Sequence, residues 1–246
     1  MGISNYQFKP NWVPSIVTIL LLPVLIGLGF WQLSRAEEKQ QILEQRSKRM
    51  AMSEYHVTTI PTDLSQIENR KLVIKGRYLN QYLIYIDNKV YHSQVGYQIV
   101  VPLKLAGRDD IILVNRGWVK ATESRDRLPK VSLPDTELTL RGTAKLDAKD
   151  VASFGSNNRL GTDWPALVRW IDPESLDKDI PGKIASFLFL QDPQPADKLK
   201  REWKFINSPP EKNLSYALQW FSLAGMLLII YIVVNTKRKN KQASYE

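Results

Sequence analysis

Two long apolar runs, one near each end of the chain, are the strongest feature of its hydropathy pattern. The runs Pro10–Ser34 and Asn213–Thr236 contain no charged side chain. Each exceeds the roughly 20 residues that an α-helix needs to cross about 30 Å of hydrocarbon. The first run is too long for a signal peptide and no small-residue cleavage site follows it, so we interpret it as an uncleaved anchor. The pattern therefore predicts two membrane-spanning helices.

The segment between the two runs is dominated by the alternation typical of β-strands. Helix formers after the first run extend the first helix to about Met52. We place a hairpin turn at Asp87–Asn88, a loop over Asp147–Gly161, and a short helix after Asp172 as its N-cap. The predicted strands are KLVIKGRYL, YLIYI, GYQIVVPL, DDIILVNRGWVKA, ELTLRGTAKL and ASFLFLQ.

The predicted fold is an α+β membrane protein, in which two transmembrane helices flank a mainly antiparallel-β extracytoplasmic domain with a few helices. The segments follow one another as a short cytoplasmic N-terminus (1–11), a first transmembrane helix (12–34), a periplasmic β-rich domain (35–212), a second transmembrane helix (213–235) and a basic cytoplasmic tail (236–246).

The orientation follows from the basic residues after the second run. Lys237, Arg238, Lys239 and Lys241 argue for a cytoplasmic C-terminus, and two spans then bring the N-terminus to the same side. Arg35 and Lys39 follow the first run on the outer side, but long translocated segments are largely exempt from this charge rule. We therefore expect a multi-pass protein of the cell inner membrane, in contact with the lipid bilayer.

Composition narrows the chemistry. The chain has no cysteine, which excludes disulfides, thiolate metal sites and c-type haem attachment. His56 and His92 are its two histidines, so we expect no multi-histidine metal site. The net charge is +9, but the basic residues are scattered without a recognition motif, and we expect no nucleic-acid partner. No nucleophile elbow occurs, and His92 and Ser93 are adjacent on a predicted strand, so we expect no enzyme.

The motif VNRGWV needs a specific explanation. Gly117 permits a β-bulge or a close backbone approach. Arg116 and Trp118 are open to two interpretations. In one, Arg116 binds a ligand carboxylate and Trp118 offers a flat apolar face. In the other, Arg116 is buried against an internal carboxylate and Trp118 packs in the core.

Aromatic residues mark the outer ends of the two runs. Tyr216 and Trp220 are spaced i, i+4 and share one helix face. Trp31 and Arg35 of the first helix lie at the same level. Such residues form an interfacial aromatic belt in many membrane proteins, or a wall for a planar ligand or partner helix.

Five motifs together carry a resemblance to a known family. In chain order they are LGFWQLSRAEEK, GRYL, VGYQIVVPL (which includes Gly96 and Tyr97), ILVNRGWV and NLSYALQWF. They resemble the surfeit locus protein 1 family, assembly factors of haem–copper cytochrome c oxidase. The resemblance implies a role in maturing the catalytic subunit at the step where haem a enters. It implies that subunit and other assembly factors as partners, and possible transient contact with haem a.

The resemblance also bears on Asn213. Some bacterial members of the family are thought to hold haem a through a histidine at the start of the second span, and Asn213 occupies that position here. An asparagine amide is a poor ligand for haem iron, whereas tyrosine can ligate it, and Tyr216 lies one helical turn away. The alternatives are a scaffold for a quinol-type terminal oxidase or another membrane complex, without haem contact, and more distantly a membrane-tethered periplasmic enzyme.

Overall fold

The first apolar run forms a single long helix in the computed structural model, which describes residues 6–123, 127–146, 163–172, 176, 178–194, 197–203 and 208–238. This helix, α1, is Trp12–Met50, and the second run forms helix α2, Pro210–Asn235. Both are long and apolar enough to cross a membrane, as predicted. α2 begins three residues before the predicted span because proline fits the first turn, where no backbone N–H is needed.

The chain forms two compact units. The helical unit comprises residues 1–44 and 205–246, and the barrel unit comprises residues 45–204. In the helical unit, the strands β1 (Tyr6–Phe8) and β10 (Thr236–Arg238) pair antiparallel. This short ribbon holds the N-terminal end of α1 beside the C-terminal end of α2.

Side chains pack the two helices of this unit along their length. The hydroxyl groups of Ser15 and Tyr231 are 3.0 Å apart. Further along, Gly29 faces the ring of Phe221, and Phe30 meets that ring edge-on with 5.4 Å between the centroids. Glycine therefore makes room for an aromatic ring at the helix contact.

The barrel unit contains eight strands, which contribute alternate residues to one core. They are β2 (Tyr55–Val57), β3 (Lys71–Tyr78), β4 (Ile84–Tyr91), β5 (Gln94–Leu105), β6 (Asp110–Lys120), β7 (Leu138–Lys145), β8 (Ala166–Val168) and β9 (Lys183–Gln191).

Five of these strands close into a barrel. The order is β3-β7-β9-β6-β5, and β5 pairs back onto β3. β2 extends the sheet beside β3, while β4 and then β8 extend it beside β5. Among the described strands of this unit, β2–β3, β4–β8 and β6–β9 pair in parallel and the other five pairs are antiparallel. The sheet is thus mainly antiparallel, as predicted.

The barrel core is filled by the inward-facing residues that the strand pattern predicts. Leu72 and Ile74 of β3 and Ile112 of β6 are fully buried, as are Phe187 and Phe189 of β9. Because β9 pairs with β6 on one side and β7 on the other and β5 closes onto β3, this aromatic pair lies inside the barrel.

The predicted hairpin turn is wrong. β4 continues through Asp87–Asn88 as a bulge, and the chain turns at His92–Ser93 instead. Both turn residues have positive φ (46° and 63°), as a two-residue hairpin with matching twist requires. His92 and Ser93 are therefore turn residues and not neighbours on a strand.

Short helical segments accompany the strands of this unit. The described residues of the barrel unit include the end of α1, two short 3₁₀ helices (Leu64–Gln66 and Asn80–Tyr82) and Leu176, which is helical. The predicted loop over Asp147–Gly161 lies outside the described residues, as do Lys239 and Lys241. The predicted helix after Asp172 also lies outside them, apart from Leu176.

Candidate functional site

A cleft opens between the two helices of the helical unit, at the N-terminal end of α2. Its volume is about 520 Å³. Its lining includes the side chains of Trp31, Arg35, Lys39, Lys212, Asn213 and Tyr216. The structure thus brings together four of the five residues predicted at this end of the helices. The fifth, Trp220, is not part of the lining.

Asn213 connects the two helices through its side-chain amide. Its oxygen accepts a hydrogen bond from the ammonium of Lys39 at 2.6 Å, and its nitrogen donates to the Gln32 side-chain oxygen at 2.7 Å. Lys39 also donates to the hydroxyl of Ser208 at 2.7 Å. The sequence did not predict a site role for Lys39, Gln32 or Ser208, because their role is visible only from the hydrogen bonds around Asn213.

Of the basic side chains that line the cleft, Arg35 has a carboxylate partner, while Lys39 and Lys212 have none among the described residues. Arg35 forms an ion pair with Glu38 at 2.6 Å on the exposed side of α1. In the described part of the chain, no carboxylate lies within ion-pair distance of Lys39 or Lys212. The cleft therefore carries an excess of positive charge.

Two aromatic side chains flank these cations. Trp31 is 53% exposed and Tyr216 is 44% exposed, so both present large faces at the edge of the cleft. Trp220 is only partly exposed, one turn further along α2. The shared face of Tyr216 and Trp220 thus continues along the helix beyond the cleft.

The side chains of this cleft do not fit a haem held by a histidine. Asn213 stands at that position, and both ends of its amide are bound to Lys39 and Gln32. Of the side-chain types that commonly ligate haem iron, the described lining supplies Tyr216 alone. His56 and His92 belong to the barrel unit, and the described residues contain no group of three potential metal ligands.

The second predicted group, around Arg116, lies inside the barrel unit. Arg116 is buried and donates to the Asp197 carboxylate at 3.0 Å and to the Ser132 carbonyl oxygen at 2.8 Å. Arg201 donates to the same carboxylate. The structure thus supplies the internal carboxylate of the second interpretation.

Two groups in this cluster have shifted pKa values. Burial alone would raise the pKa of Asp197, but the Leu199 backbone N–H, Arg201 and Arg116 outweigh it and hold the pKa below its ordinary value. Burial raises the pKa of Tyr78 to about 12, although Arg116 lies over its ring at 5.6 Å. Both arginines are therefore committed to internal contacts.

Gly117 has both properties predicted for it. The pairing of β5 and β6 shifts register at Arg116, which forms a bulge. Gly117 has φ of +119°, and a Cβ there would lie 2.6 Å from the Lys200 carbonyl oxygen. Next to it, the backbone of Trp118 exchanges hydrogen bonds with Lys200. The bulge thus allows the returning chain to pair with β6.

Trp118, Gly96 and Tyr97 serve packing. The Trp118 indole N–H donates to the Lys89 carbonyl oxygen at 2.7 Å, and its ring covers Gly96, where a Cβ would lie 2.6 Å from it. Tyr97 is buried edge-on against Tyr85, with 5.7 Å between the ring centroids. All three hold β4, β5 and β6 together.

A second cavity, in the barrel unit, was not predicted from the sequence. Its volume is about 290 Å³, and Trp118 and Trp203 are among its lining residues. At its edge the Tyr91 hydroxyl donates to Glu202 at 2.7 Å, and His92 lies 3.6 Å from the same carboxylate. The turn that brings His92 here is the one that the sequence misplaced, which explains why this cluster was missed.

Along the sequence, a β-barrel domain lies between two helices of membrane-spanning length. The sequence model of the SURF1 family matches residues 19–225, which include most of α1, the whole barrel unit and the first half of α2. The chain therefore belongs to the SURF1 family, which is known for cytochrome oxidase assembly factors.

Individual relatives agree with this assignment. A SURF1-like protein of Rickettsia felis is 25% identical over 89% of this chain and 95% of its own length. A SURF1-like protein of Monosiga brevicollis is 20% identical over 91% of this chain and 88% of its own length. A SURF1-like protein of Drosophila melanogaster is 36% identical over 49% of this chain and 47% of its own length.

Proposed function

We propose that this protein is a membrane-anchored assembly factor of cytochrome oxidase, which assists maturation of the catalytic subunit at the stage where haem a enters. Its partners are that subunit and other assembly factors, and it catalyses no reaction. The observation that carries the proposal is the family match over residues 19–225, which includes most of α1, the first half of α2 and the domain between them in the sequence.

The proposed topology places both helices across the inner membrane and the barrel unit in the periplasm. The two helices have the required length and apolar character. β1 and β10 pair at one end of the helical unit, so both chain ends leave from the same side, and Lys237 and Arg238 make that side basic. Basic residues next to a span favour the cytoplasmic side.

The surface around the cleft is the proposed contact for the maturing subunit. Trp31 and Tyr216 offer exposed aromatic faces, and Lys39 is held in place by Asn213 and Ser208. A partner helix would pack against the two aromatic faces at the edge of the cleft. Because the Asn213 amide is already bound on both sides, we propose that the protein acts on the subunit without an axial iron ligand from this position.

A deletion strain tests the assembly role. We expect loss of the gene to lower the amount of haem-loaded oxidase in membranes, while total haem a synthesis continues. Re-expression of the full chain should restore the oxidase. A normal oxidase spectrum and activity in the deletion strain would refute the role.

A second candidate function is a scaffold without haem contact, for a quinol-type terminal oxidase or another membrane complex. The internal hydrogen bonds of Asn213 favour it. The protein should be purified from cells that make haem a, beside an Asn213→His variant, and the visible spectrum of each recorded. A Soret band in the native protein supports haem contact, whereas a band in the variant alone supports the scaffold.

A further inference from the structure

The cations of the helical-unit cleft lie at the boundary between apolar and polar sequence. Arg35 is the first charged residue after the run Pro10–Ser34, and Lys212 is the last before the run Asn213–Thr236. Both line the cleft, together with Lys39. If the two runs cross the bilayer, as proposed above, these side chains lie at the level of the lipid headgroups.

Lys39 is held by two neutral hydrogen-bond acceptors, which do not neutralise the ammonium group. It is half-buried, and its two hydrogen-bond acceptors are the Asn213 amide oxygen and the Ser208 hydroxyl, both neutral. Neutral acceptors fix the position of an ammonium group without cancelling its field, whereas a carboxylate would do both. The third N–H of Lys39 is left for another acceptor.

The remaining charges of the cleft do not neutralise Lys39. Glu38 is the acidic residue in the described lining, and it pairs with Arg35. Lys212 has no carboxylate partner among the described residues and adds a second positive charge at the start of α2. The preferred occupant of this cleft is therefore an anion.

The aromatic side chains at the edge of the cleft indicate which kind of anion would bind there. Trp31 and Tyr216 are exposed amphipathic rings of the type that lies among lipid headgroups and acyl-chain ends. A headgroup phosphate would meet Lys39 and Lys212 while its glycerol and upper acyl carbons contact the rings. Basic pockets between membrane helices bind anionic lipid headgroups in this way.

We propose that this cleft is a binding site for the headgroup of an anionic phospholipid, with Lys39 and Lys212 as the phosphate contacts. The proposal depends on the membrane anchoring proposed above. The site would fix one lipid beside the surface offered to the oxidase subunit, so that the lipid forms part of that surface.

Native mass spectrometry of the full-length protein in detergent tests the site. Phosphatidylglycerol and phosphatidylcholine with the same acyl chains are added at equal concentration, and bound copies of each are counted. We expect preferential retention of phosphatidylglycerol. Lys39→Gln and Lys212→Gln should each reduce the preference by about fivefold, the effect of roughly one interfacial charge.

The control is Lys237→Gln, which removes the same charge at the opposite end of the helix pair. Lys212→Gln guards against a folding artefact, because the Lys212 side chain makes no hydrogen bond or ion pair with the described residues. Equal binding of the two lipids by the native protein would overturn the site. If Lys237→Gln reduces the preference for phosphatidylglycerol as much as the cleft variants do, the site is overturned too, because the preference would then follow the net charge of the protein and not this cleft.

Two further measurements separate the remaining explanations. Displacement of phosphatidylglycerol by an equal concentration of inorganic phosphate would overturn the lipid assignment in favour of a free phosphate site; no displacement supports the lipid. Extraction of membranes with alkaline carbonate tests the anchoring alone. A protein that resists extraction but shows no lipid preference refutes this site and leaves the proposed anchoring and assembly role intact.

Discussion

The side-chain oxygen of Asn213 accepts a hydrogen bond from the Lys39 ammonium at 2.6 Å, across 174 residues of sequence. The same amide donates to Gln32, so one polar side chain joins α2 to two positions on α1. Such bonds between two helices fix how the helices are aligned along each other. Asn213 is therefore a structural residue of the helical unit.

Asn213→Leu should destabilise the helical unit. The change removes the partner of the half-buried Gln32 amide and one of the two acceptors of Lys39, which costs about 1–3 kcal/mol. Thermal unfolding in detergent, followed by circular dichroism, measures the loss. Asn213→Asp keeps an acceptor for Lys39 and should lose less. Equal stability of the leucine variant and the native protein would show that the network contributes nothing.

Gly29→Ala should weaken the contact between α1 and α2. An added Cβ would lie 2.5 Å from the Phe221 ring, so the ring has to move, at a cost of about 1–3 kcal/mol. Gly27→Ala is the matched control, since no atom lies within 4 Å of its added Cβ. Thermal unfolding in detergent should show a loss for position 29 only. The loss should shrink when Phe221→Leu is combined with Gly29→Ala.

Asp197→Ala should strongly destabilise the barrel unit. It removes the carboxylate shared by Arg116 and Arg201, whose side chains are only 9% and 1% exposed. Leaving buried guanidinium groups unpaired costs about 3–5 kcal/mol. The exposed ion pair of Lys75 and Glu137 is the control, and Glu137→Gln should cost at most about 1 kcal/mol. Urea unfolding of both variants measures the difference.

The Asp197 carboxyl also predicts a pH dependence. Its pKa is lowered in the folded protein, whereas in the unfolded chain it titrates near the ordinary value of about 3.9. Its contribution to stability is therefore complete above about pH 4 and is lost as the pH falls through the lower folded pKa. In Asp197→Asn this component of acid destabilisation should disappear. If the free energy of unfolding of the variant falls with acid as steeply as that of the native protein, Asp197 is not the group responsible.

Gly117→Ala should destabilise the barrel more than Gly107→Ala. Both glycines have positive φ, at +119° and +70°, so both substitutions strain the backbone. Only at Gly117 does the added Cβ meet another atom, the Lys200 carbonyl oxygen at 2.6 Å. This overpacking should add about 1–3 kcal/mol to the loss for Gly117. Urea unfolding measures the free energy of unfolding of both variants. Equal losses would show that the backbone around Lys200 moves away from the added Cβ without cost.

The sequence by itself determined the two helices, the main strands and the family. Uncharged runs of span length and period-two alternation are local signals, because each depends on which residues face apolar surroundings within one element. For the same reason the bulge at Gly117 was predictable from a glycine within a strong strand. The position of the hairpin turn was not, because Asp87–Asn88 carries a stronger local turn signal than His92–Ser93.

Only the tertiary structure decided which distant residues meet. The closure of β5 onto β3, the pairing of Arg116 with Asp197 and the bond from Lys39 to Asn213 join positions far apart in the chain. Strand register and helix alignment set such contacts, and both depend on how the whole core packs. Local sequence therefore indicated Asn213 as an exception to the family pattern, while the fold showed that its amide is already bound.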